Sequence, residues 1–327
     1  MEISVVLPVY NEEESLVELH EELDRELRKL GRTYQIVFVN DGSSDSSVEI
    51  LLGICADYPD TVTFIDLRRN FGQTAATSAG IDHARGRVIV FMDADLQNDP
   101  SDIKKLLDIM HEGQWDVVSG WRTDRKDTFI SRTLPSRIAN SIISTVTGVH
   151  LHDYGCTLKA YRREVLDEVK LYGEMHRFIP VFAAAAGARI TETPVKHRPR
   201  VYGRSKYGLE RTFKVIVDLI TVKFLLDYRT RPMYIFGGMG TFFILGGFLT
   251  IGLAILRTFA RDSSLINTPL PVLAATLFAI GMQSILMGLL AELIVRTYYE
   301  SQEKPVYVVR RVVEGHKSVE KPTWSKA

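Results

Sequence analysis

Two kinds of hydrophobic pattern alternate along the first part of the chain. Short apolar runs rich in β-branched residues predict buried strands at residues 3–9, 36–39, 62–65, 88–92 and 117–118. Between them, apolar residues recur at helical spacing and predict helices at residues 16–30, 48–55, 74–84 and 103–110. Strands that alternate with helices over short connections predict an α/β fold with a doubly wound, mostly parallel sheet.

A different pattern begins after residue 231. Residues 232–256 contain no charged side chain, and neither do residues 263–291. Each run exceeds the roughly 20 apolar residues that cross a bilayer, so we predict transmembrane helices at 232–256 and 266–291. A buried hairpin in a soluble core is the alternative interpretation, which two such runs in succession disfavour.

Basic residues predict the orientation of these spans. Two spans return the chain to the side on which it started. That side carries basic residues from Lys214 to Arg231 and again in the tail 292–327, and they outnumber Arg257 and Arg261 of the connecting loop. The positive-inside rule therefore predicts a multi-pass protein of the inner (plasma) membrane, with its N-terminal domain and its C-terminus in the cytoplasm.

Residues 206–231 are predicted to be an amphipathic juxtamembrane segment. Apolar residues between Leu209 and Phe224 share one helical face, and charged residues occupy the others. This pattern suits a helix in the bilayer interface, and a helix packed on the soluble core fits the periodicity equally well. The neighbouring Arg229 and Arg231 favour the membrane. Residues 1–205 then form the soluble domain.

Composition argues for neither a nucleic-acid partner, a disulfide nor a signal peptide. The 40 basic and 40 acidic side chains balance, so net charge gives no argument for nucleic-acid binding, and no such partner is expected. Cys55 and Cys156 fit no metal-binding spacing, and we expect no disulfide between them. The first residues lead directly into an apolar strand, so no signal peptide is expected.

Candidate chemistry lies where predicted strands end, which is the side on which parallel sheets bind ligands. Asp93 and Asp95 follow the strand at 88–92, and Gln97 comes two residues later. Oxygen ligands of this kind suit Mg²⁺ or Mn²⁺ shared with substrate phosphates. A capped loop is the alternative interpretation, in which Asp95 or Asn98 starts the helix that follows.

The end of the first strand is also polar. Asn11 is a predicted helix N-cap with Glu14 as its partner three positions into the helix. The acidic residues 12–14 would repel a diphosphate, so this helix start is predicted to hold a nucleoside. The phosphates then require the metal at Asp93 and Asp95. The chain has neither the glycine motif of dinucleotide-binding folds nor a P-loop.

Six segments together resemble family 2 glycosyltransferases of the GT-A fold: residues 6–12 (VLPVYNE), 40–45 (NDGSSD), 93–97 (DADLQ), 119–122 (SGWR), 153–163 (DYGCTLKAYRR) and 200–207 (RVYGRSKY). They are similar to the polyprenyl-phosphate branch, which includes dolichyl-phosphate mannose synthases, bactoprenol glucosyltransferases and aminoarabinose transferases. The resemblance covers nearly the whole chain. It implies a Rossmann-like GT-A domain followed by interface helices and two C-terminal transmembrane helices.

The resemblance also implies roles for residues at the matching positions. The nucleotide would contact Pro8, Tyr10, Glu12, Asp41 and Asp93. A divalent ion would bind Asp93, Asp95 and Gln97, with Asp95 as the surest ligand. Phosphates of the acceptor or donor would be held by Arg122, Arg132, Arg200, Ser205 and Lys206. Catalysis would rest on Asp153 together with Arg122, Arg200 and Lys206.

The implied reaction is the inverting transfer of a sugar from a nucleotide sugar to a polyprenyl phosphate at the cytoplasmic membrane face, with Mg²⁺ or Mn²⁺. UDP-glucose is the first choice of donor, and UDP-linked 4-formamido-arabinose and GDP-mannose are the alternatives. A phosphate monoester is largely dianionic at pH 7 and is already a nucleophile. Asp153 therefore has three open roles: base, acceptor of a sugar hydroxyl, or orienting partner of an arginine.

Two other classes compete with this interpretation. A processive polysaccharide synthase would need more spans and a Gln-x-x-Arg-Trp signature, which the sequence lacks. A membrane scaffold with an inactive transferase domain is disfavoured because the key acidic and basic residues are intact. Self-association through the hairpin is a further hypothesis, although neither span contains a G-x-x-x-G motif.

Overall fold

The computed structural model describes residues 1–123, 134–167, 169, 175–199, 233–261, 268–301, 307–315 and 317–320. The chain divides into two compact units. One unit combines Met1–Val222 with Pro305–Ala327, and the other is Lys223–Lys304.

The first unit is built on one sheet. In its described part, nine strands lie in the order β7-β5-β6-β4-β1-β2-β3-β8-β9. In chain order they are β1 Ile3–Val9, β2 Tyr34–Asn40, β3 Val62–Leu67, β4 Val88–Phe91, β5 Val117–Arg122, β6 Lys159–Arg162, β7 Ile190–Val195, β8 Val309–Glu314 and β9 Lys317–Glu320.

Helices occupy the connections that the periodicity predicts. They are α1 Leu16–Lys29, α2 Ser47–Asp57, α3 Gln73–His83, α4 Asp102–Glu112, α5 Leu134–Thr147, α6 Arg163–Asp167, a 3₁₀ helix Met175–Phe178, α7 Ile179–Ala185, α8 Met233–Arg261 and α9 Leu270–Ser301. On α1, the leucines at positions 16, 19, 23 and 27 are buried, as their spacing predicts.

The centre of the sheet is the predicted parallel arrangement. β4, β1, β2 and β3 are neighbours and run parallel. Every residue of β2 is buried, and so is every residue of β1 except Pro8. Burial on both faces explains why these strands read as continuous apolar runs rather than as an alternating pattern. The carboxyl ends of the four strands consequently meet along one edge.

An antiparallel strand lies on each side of this centre, β6 next to β4 and β8 next to β3. β6 runs antiparallel between β4 and β5, so its first residue lies beside the carboxyl ends of both neighbours. β8 runs antiparallel along β3 and pairs with β9. The resulting sheet is mixed, with four parallel strands in the middle and a second parallel pair, β5 and β7, at one edge. Hydrophobic periodicity gave no signal for β6, β8 or β9.

The start of α1 differs from the prediction. Asn11 is not its N-cap, since the helix begins at Leu16 and follows Ser15. Asn11 instead has a φ of 53° and joins two strand ends: its N–H donates to Ser43 Oγ at 2.9 Å, and its Oδ1 accepts from the Ser44 N–H at 2.8 Å. Asparagine tolerates this left-handed conformation better than most residues, which explains its presence in the turn.

The second unit contains the two long apolar helices. Ile235–Phe259 and Leu270–Ala291 have the length and composition needed to cross a membrane. The helices approach closely at Gly240 and Gly281. A Cβ on Gly240 would lie 2.7 Å from the Gly281 carbonyl oxygen, and one on Gly281 would lie 2.8 Å from that of Gly240. Small residues allow this backbone contact, which packing between membrane helices favours.

Candidate active site at the carboxyl edge of the sheet

Side chains from three other segments of the chain bind the acidic turn after β4, residues 93–95. Asp93 Oδ1 accepts from Gln73 Nε2 at 3.0 Å, and Asp93 Oδ2 accepts from Thr157 Oγ1 at 2.8 Å. The carbonyl of Ala94 accepts from Ser15 Oγ at 2.7 Å, which ties the turn to the start of α1. The φ of Leu96 is 61°, so the chain reverses directly after Asp95. The conformation of the turn is therefore fixed by hydrogen bonds to neighbouring segments.

The capped-loop interpretation does not hold for this turn. α4 begins at Asp102, seven residues beyond Asp95. Asp95 Oδ1 accepts from the Gln97 N–H at 3.1 Å, and Asn98 Nδ2 donates to Thr157 Oγ1 at 3.1 Å. Neither side chain caps the helix, so an N-cap role does not explain the two carboxylates.

These residues fit a divalent ion that is shared with a substrate. Asp93 is half-buried and Asp95 is buried, and their oxygens are ligands that Mg²⁺ and Mn²⁺ accept. Among the described residues there is no group of three or more His, Cys, Asp or Glu side chains that could hold a metal alone. A site with two carboxylates suits an ion that completes its coordination with water and phosphate oxygens.

The predicted nucleotide residues lie at the neighbouring strand ends. Pro8 and Tyr10 belong to the end of β1, and Tyr10 is 38% exposed. The backbone N–H of Glu12 donates to Ser47 Oγ at 3.1 Å. The Asp41 N–H donates to the carbonyl of Val9 at 2.8 Å, which joins the ends of β1 and β2. The edge thus brings together Pro8, Tyr10, Glu12 and Asp41, as their sequence positions predict.

Asp41 anchors the loop that leads into α3. Its two carboxylate oxygens accept from the N–H groups of Phe71 at 2.7 Å and Gly72 at 2.9 Å. Burial raises the pKa of Asp41, and the two backbone donors oppose that rise without reversing it. Gly42, with a φ of +71°, lets the same loop approach, since a Cβ there would lie 2.5 Å from Arg69 C and Asn70 N.

A second cluster lies at the end of β5. Arg122 Nε donates to Asp153 Oδ2 at 2.7 Å, and a terminal nitrogen donates to Asp153 Oδ1 at 3.0 Å. The side chains are 18% and 3% exposed. Burial alone would lower the pKa of Arg122, but the bond to Asp153 outweighs it, so the pKa lies above its usual value. Arg122 is therefore a fixed cation at the edge.

One loop connects this pair to the acidic turn. We call residues 153–157 the catalytic loop: Asp153 at its start binds Arg122, and Thr157 at its end binds Asp93. The loop leads into β6, and the antiparallel direction of β6 is what carries it to the carboxyl ends of β4 and β5.

An aromatic pair flanks the same region. Trp121 stacks on His152 with ring centroids 4.2 Å apart and an interplanar angle of 16°. His152 Nδ1 contacts Glu192 Oε1, and the His152 N–H donates to Glu192 Oε2 at 2.8 Å. Trp121 and His152 precede Arg122 and Asp153 respectively, so the stack is adjacent in sequence to both members of the ion pair.

Several predicted residues fall outside the described part of the chain. They are Arg132, Arg200, Ser205 and Lys206, and the juxtamembrane segment 206–231 also falls there. Their predicted roles in phosphate and membrane binding remain predictions.

The structure also identifies site residues that sequence reasoning missed. Gln73 and Thr157 bind Asp93, and His176 Nδ1 lies 2.8 Å from Thr74 Oγ1, beside Gln73 on α3. Lys159, at the first position of β6, is buried behind the catalytic loop. Gln73 and His176 lie in none of the six family-like segments, whereas Thr157 and Lys159 lie in segment 153–163, where the lysine stands out in the apolar run LKAY.

Comparison with known proteins agrees with this geometry. The model of the family "Glycosyl transferase family 2" matches residues 4–170. A dodecaprenyl-phosphate galacturonate synthase of Rhizobium johnstonii is 40% identical over 96% of this chain and 94% of its own length. An undecaprenyl-phosphate 4-deoxy-4-formamido-L-arabinose transferase of Salmonella paratyphi B is 38% identical over 95% of this chain and 93% of its own length.

Solved structures show a likeness in fold. Glucosyl-3-phosphoglycerate synthase from Mycobacterium tuberculosis, crystallised with Mn²⁺ and UDP-glucose, aligns with a TM-score of 0.53. The alignment covers 68% of this chain and 78% of that one, at 17% sequence identity. At this identity the comparison supports the GT-A architecture alone.

Proposed function

The chain belongs to glycosyl transferase family 2, and we propose that it transfers a sugar from a nucleotide sugar to a polyprenyl phosphate at a membrane surface. The observation that carries this proposal is the catalytic loop. It joins a carboxylate suited to a metal ion, Asp93, to a fixed arginine, Arg122, across one edge of the sheet. A reaction between two anionic substrates needs both kinds of group.

The chemistry of the transfer explains why both a metal-binding carboxylate and an arginine are needed. An oxygen of the lipid phosphate attacks the anomeric carbon, and the bond from that carbon to the nucleoside diphosphate breaks, with inversion. The acceptor is already a dianion at neutral pH, so charge cancellation matters more than proton removal. A divalent ion at Asp93 and Asp95 would act as a Lewis acid for the departing diphosphate.

Arg122 has the right properties to bind phosphate. A guanidinium offers several N–H donors and can hold an anion through two parallel hydrogen bonds. Two of its nitrogens bind Asp153, and the remaining donor capacity is available for a substrate oxygen. Of the three roles considered for Asp153, this arrangement supports orientation of Arg122. Arg200, Ser205 and Lys206 are proposed to add to the same phosphate site.

The relatives favour a donor other than glucose. Both named relatives act on sugars that differ from glucose, galacturonate in one and 4-deoxy-4-formamido-arabinose in the other. They support the alternative donor, UDP-linked 4-formamido-arabinose, better than UDP-glucose. We propose a UDP-sugar of the uronate or formamido-arabinose type as the donor, with glucose and mannose as less favoured alternatives.

The C-terminal strand supports the proposed topology. β8 is hydrogen-bonded to β3, which favours a tail and a soluble domain in the same compartment. An even number of crossings between them would then be required, and α8 and α9 as two membrane spans would supply it. The excess of basic residues outside the hairpin loop supports the cytoplasm of a bacterial inner membrane as that compartment.

A donor panel tests the proposed function. The full chain in detergent would be incubated with undecaprenyl phosphate, Mn²⁺ and one labelled nucleotide sugar at a time: UDP-galacturonate, UDP-4-formamido-arabinose, UDP-glucose or GDP-mannose. We expect labelled lipid from one of the first two, and none after chelation of the metal. Binding of UDP with Mn²⁺ but transfer from no donor would overturn the proposal in favour of an inactive membrane scaffold.

A further inference from the structure

A lysine is buried directly behind the catalytic loop. Lys159 is 4% exposed. Its ammonium donates to the carbonyl of Tyr154 at 3.1 Å and also to the carbonyl of Cys156. Within the described residues, its hydrogen-bond acceptors are these backbone oxygens, and it forms no ion pair with a carboxylate. Burial of an ammonium carries a large desolvation cost, so this lysine requires an explanation.

Its place in the sheet puts it at the functional edge. Lys159 is the first residue of β6 and lies opposite Phe91 of β4 and Ser119 of β5. Two residues beyond Phe91 the chain reaches Asp93, and three residues beyond Ser119 it reaches Arg122. Lys159 therefore starts the strand that separates the metal-binding carboxylate from the arginine.

The catalytic loop is held at both ends and in its middle. Asp153 binds Arg122, and Thr157 binds Asp93. Between these two contacts, the backbone oxygens of Tyr154 and Cys156 both turn inward to one ammonium. A side chain from the following strand thus fixes the shape of a loop whose two ends touch different parts of the site.

The electrostatic surroundings of Lys159 are mixed. Burial lowers the pKa of Lys159 and Arg122 lowers it further, while Cys156 and the carboxylates of Asp153 and Asp93 oppose this decrease without reversing it. A positive charge at this position lies within the field of both carboxylates.

We propose that Lys159 is a positioning residue for sugar transfer. It clamps the backbone of the catalytic loop and so sets the separation between the Arg122–Asp153 pair and Asp93. This inference rests on the proposed function, because the distance that it sets is the one between acceptor phosphate and metal-bound donor. A shift of about 1 Å in such a distance lowers a rate by about 100-fold.

Lys159→Met tests the clamp, because it keeps the apolar length of the side chain and removes the ammonium. Lys105→Met is the matched control. Lys105 also donates to a backbone carbonyl, that of Pro194 at 2.6 Å, but it is exposed on α4. We expect kcat of Lys159→Met to fall by about 10- to 100-fold, with UDP–Mn²⁺ affinity within about twofold of wild type. The control should stay within about twofold in both.

A double-variant cycle separates positioning from simple support of the core. If Lys159 acts through the Arg122–Asp153 pair, Asp153→Asn and Lys159→Met together will lower kcat by much less than the product of the single effects. Multiplicative effects, an equal loss of kcat and UDP affinity, or an unchanged kcat would each overturn the proposal. If Lys159→Met does not fold, Lys159→Leu, which also lacks a hydrogen-bond donor, replaces it, and the same three outcomes decide.

Hydrogen exchange makes this test independent of the sugar. With UDP and Mn²⁺ bound, Lys159→Met should speed amide exchange across residues 151–158, whereas Lys105→Met should not. If the wild-type chain transferred no sugar, the proposed function would be overturned, but hydrogen exchange at residues 151–158 would still test the clamp. Unchanged exchange at residues 151–158 would overturn the clamp.

Discussion

On one side of the candidate active site, carboxylates follow parallel strands directly, whereas on the other side an arginine at a strand end binds an aspartate from a loop that enters an antiparallel strand. Asp41 and Asp93 belong to the first kind, at the ends of β2 and β4. Asp153 belongs to the second, since it precedes β6 by six residues. We call these the donor side and the Arg122 side.

The two sides hold their carboxylates with different kinds of group. On the donor side, neutral groups hold the carboxylates: the backbone N–H groups of Phe71 and Gly72 bind Asp41, and the Gln73 amide and the Thr157 hydroxyl bind Asp93. On the Arg122 side, ionic groups hold one another in a buried pair. The donor side is thus suited to presenting oxygen ligands, and the Arg122 side to presenting fixed charge. Three substitutions test this division, and a fourth leaves both sides unchanged.

The largest effect is expected from Asp95→Ala on the donor side. Loss of this carboxylate removes a proposed metal ligand, and we expect sugar transfer to fall by about 1,000-fold, equivalent to several kcal/mol of transition-state stabilisation. The measurement is the initial rate of transfer at saturating Mn²⁺. Asp108→Ala, which removes a half-exposed carboxylate paired with Lys104 on α4, should change the rate by less than about twofold. Similar rates for the two variants would contradict a metal site at Asp95.

Arg122→Met removes the fixed positive charge of the Arg122 side. We expect the rate of transfer to fall by about 100-fold, while UDP–Mn²⁺ affinity stays within about twofold. The variant also removes the ion pair between Arg122 and the buried Asp153, which costs about 3–5 kcal/mol of stability.

A second arginine–aspartate pair provides the control for this variant. Arg28 binds Asp24 at 2.6 Å, but the arginine side chain is 61% exposed. Arg28→Met should therefore change neither denaturant unfolding nor sugar transfer appreciably. If Arg122→Met weakened UDP binding as much as it slowed transfer, the two sides would not be separable.

A smaller effect is expected from Gly42→Ala, which tests how the donor-side loops approach. The added Cβ would collide with the backbone at Arg69 and Asn70, in a residue whose φ is +71°. We expect a loss of about 1–3 kcal/mol in stability, measured by thermal unfolding. Gly53→Ala on α2 meets no atom within 4 Å and should instead stabilise the chain by about 0.5–1 kcal/mol. Equal signs for the two variants would contradict the close approach.

The smallest effect concerns pH and leaves both sides of the site intact. Burial, followed by the hydrogen bond to Asp24, raises the pKa of Tyr34 to about 12. The unfolded chain loses this proton near pH 10, so the folded state binds more protons between pH 10 and 12. The stability that Tyr34 contributes is therefore fully present below pH 10 and is lost as pH rises towards 12.

Tyr34→Phe should flatten this dependence. Urea unfolding at pH 8 and at pH 11.5 should show a smaller loss of stability in the variant than in the wild type. An equal loss in both proteins would show that other groups cause the alkaline destabilisation.

Sequence reasoning located the donor side better than the Arg122 side. Buried strands leave continuous apolar runs, and carboxylates directly after such runs stand out, as at Asp93 and Asp95. The bonds that hold them are not visible in the same way, because Gln73 and Thr157 lie 20 and 64 positions from Asp93 along the chain. The prediction for Asn11 was wrong because an asparagine before an acidic segment has the same appearance in a turn as at a helix start.

The Arg122–Asp153 contact had no local signature. Its residues are 31 positions apart and meet because β6 enters the sheet antiparallel, which a four-residue strand does not reveal by its composition. The resemblance to a family suggested both residues as site members. It did not supply their bidentate contact or the buried Lys159 behind it. Direction and partner of a short strand are tertiary properties, and periodicity reports only local ones.

The C-terminal strand has a consequence for how the protein is made. β3 emerges from the ribosome early, but its partner β8 begins 242 positions after the last residue of β3 and follows both apolar helices. Until then, the backbone groups along one edge of β3 are exposed, and Asp66 at the end of that strand lacks Arg311, whose Nε lies 3.2 Å from it in the finished sheet. An open edge of this kind invites pairing with other chains. The sheet of the first unit is therefore completed only after both apolar helices have been synthesised.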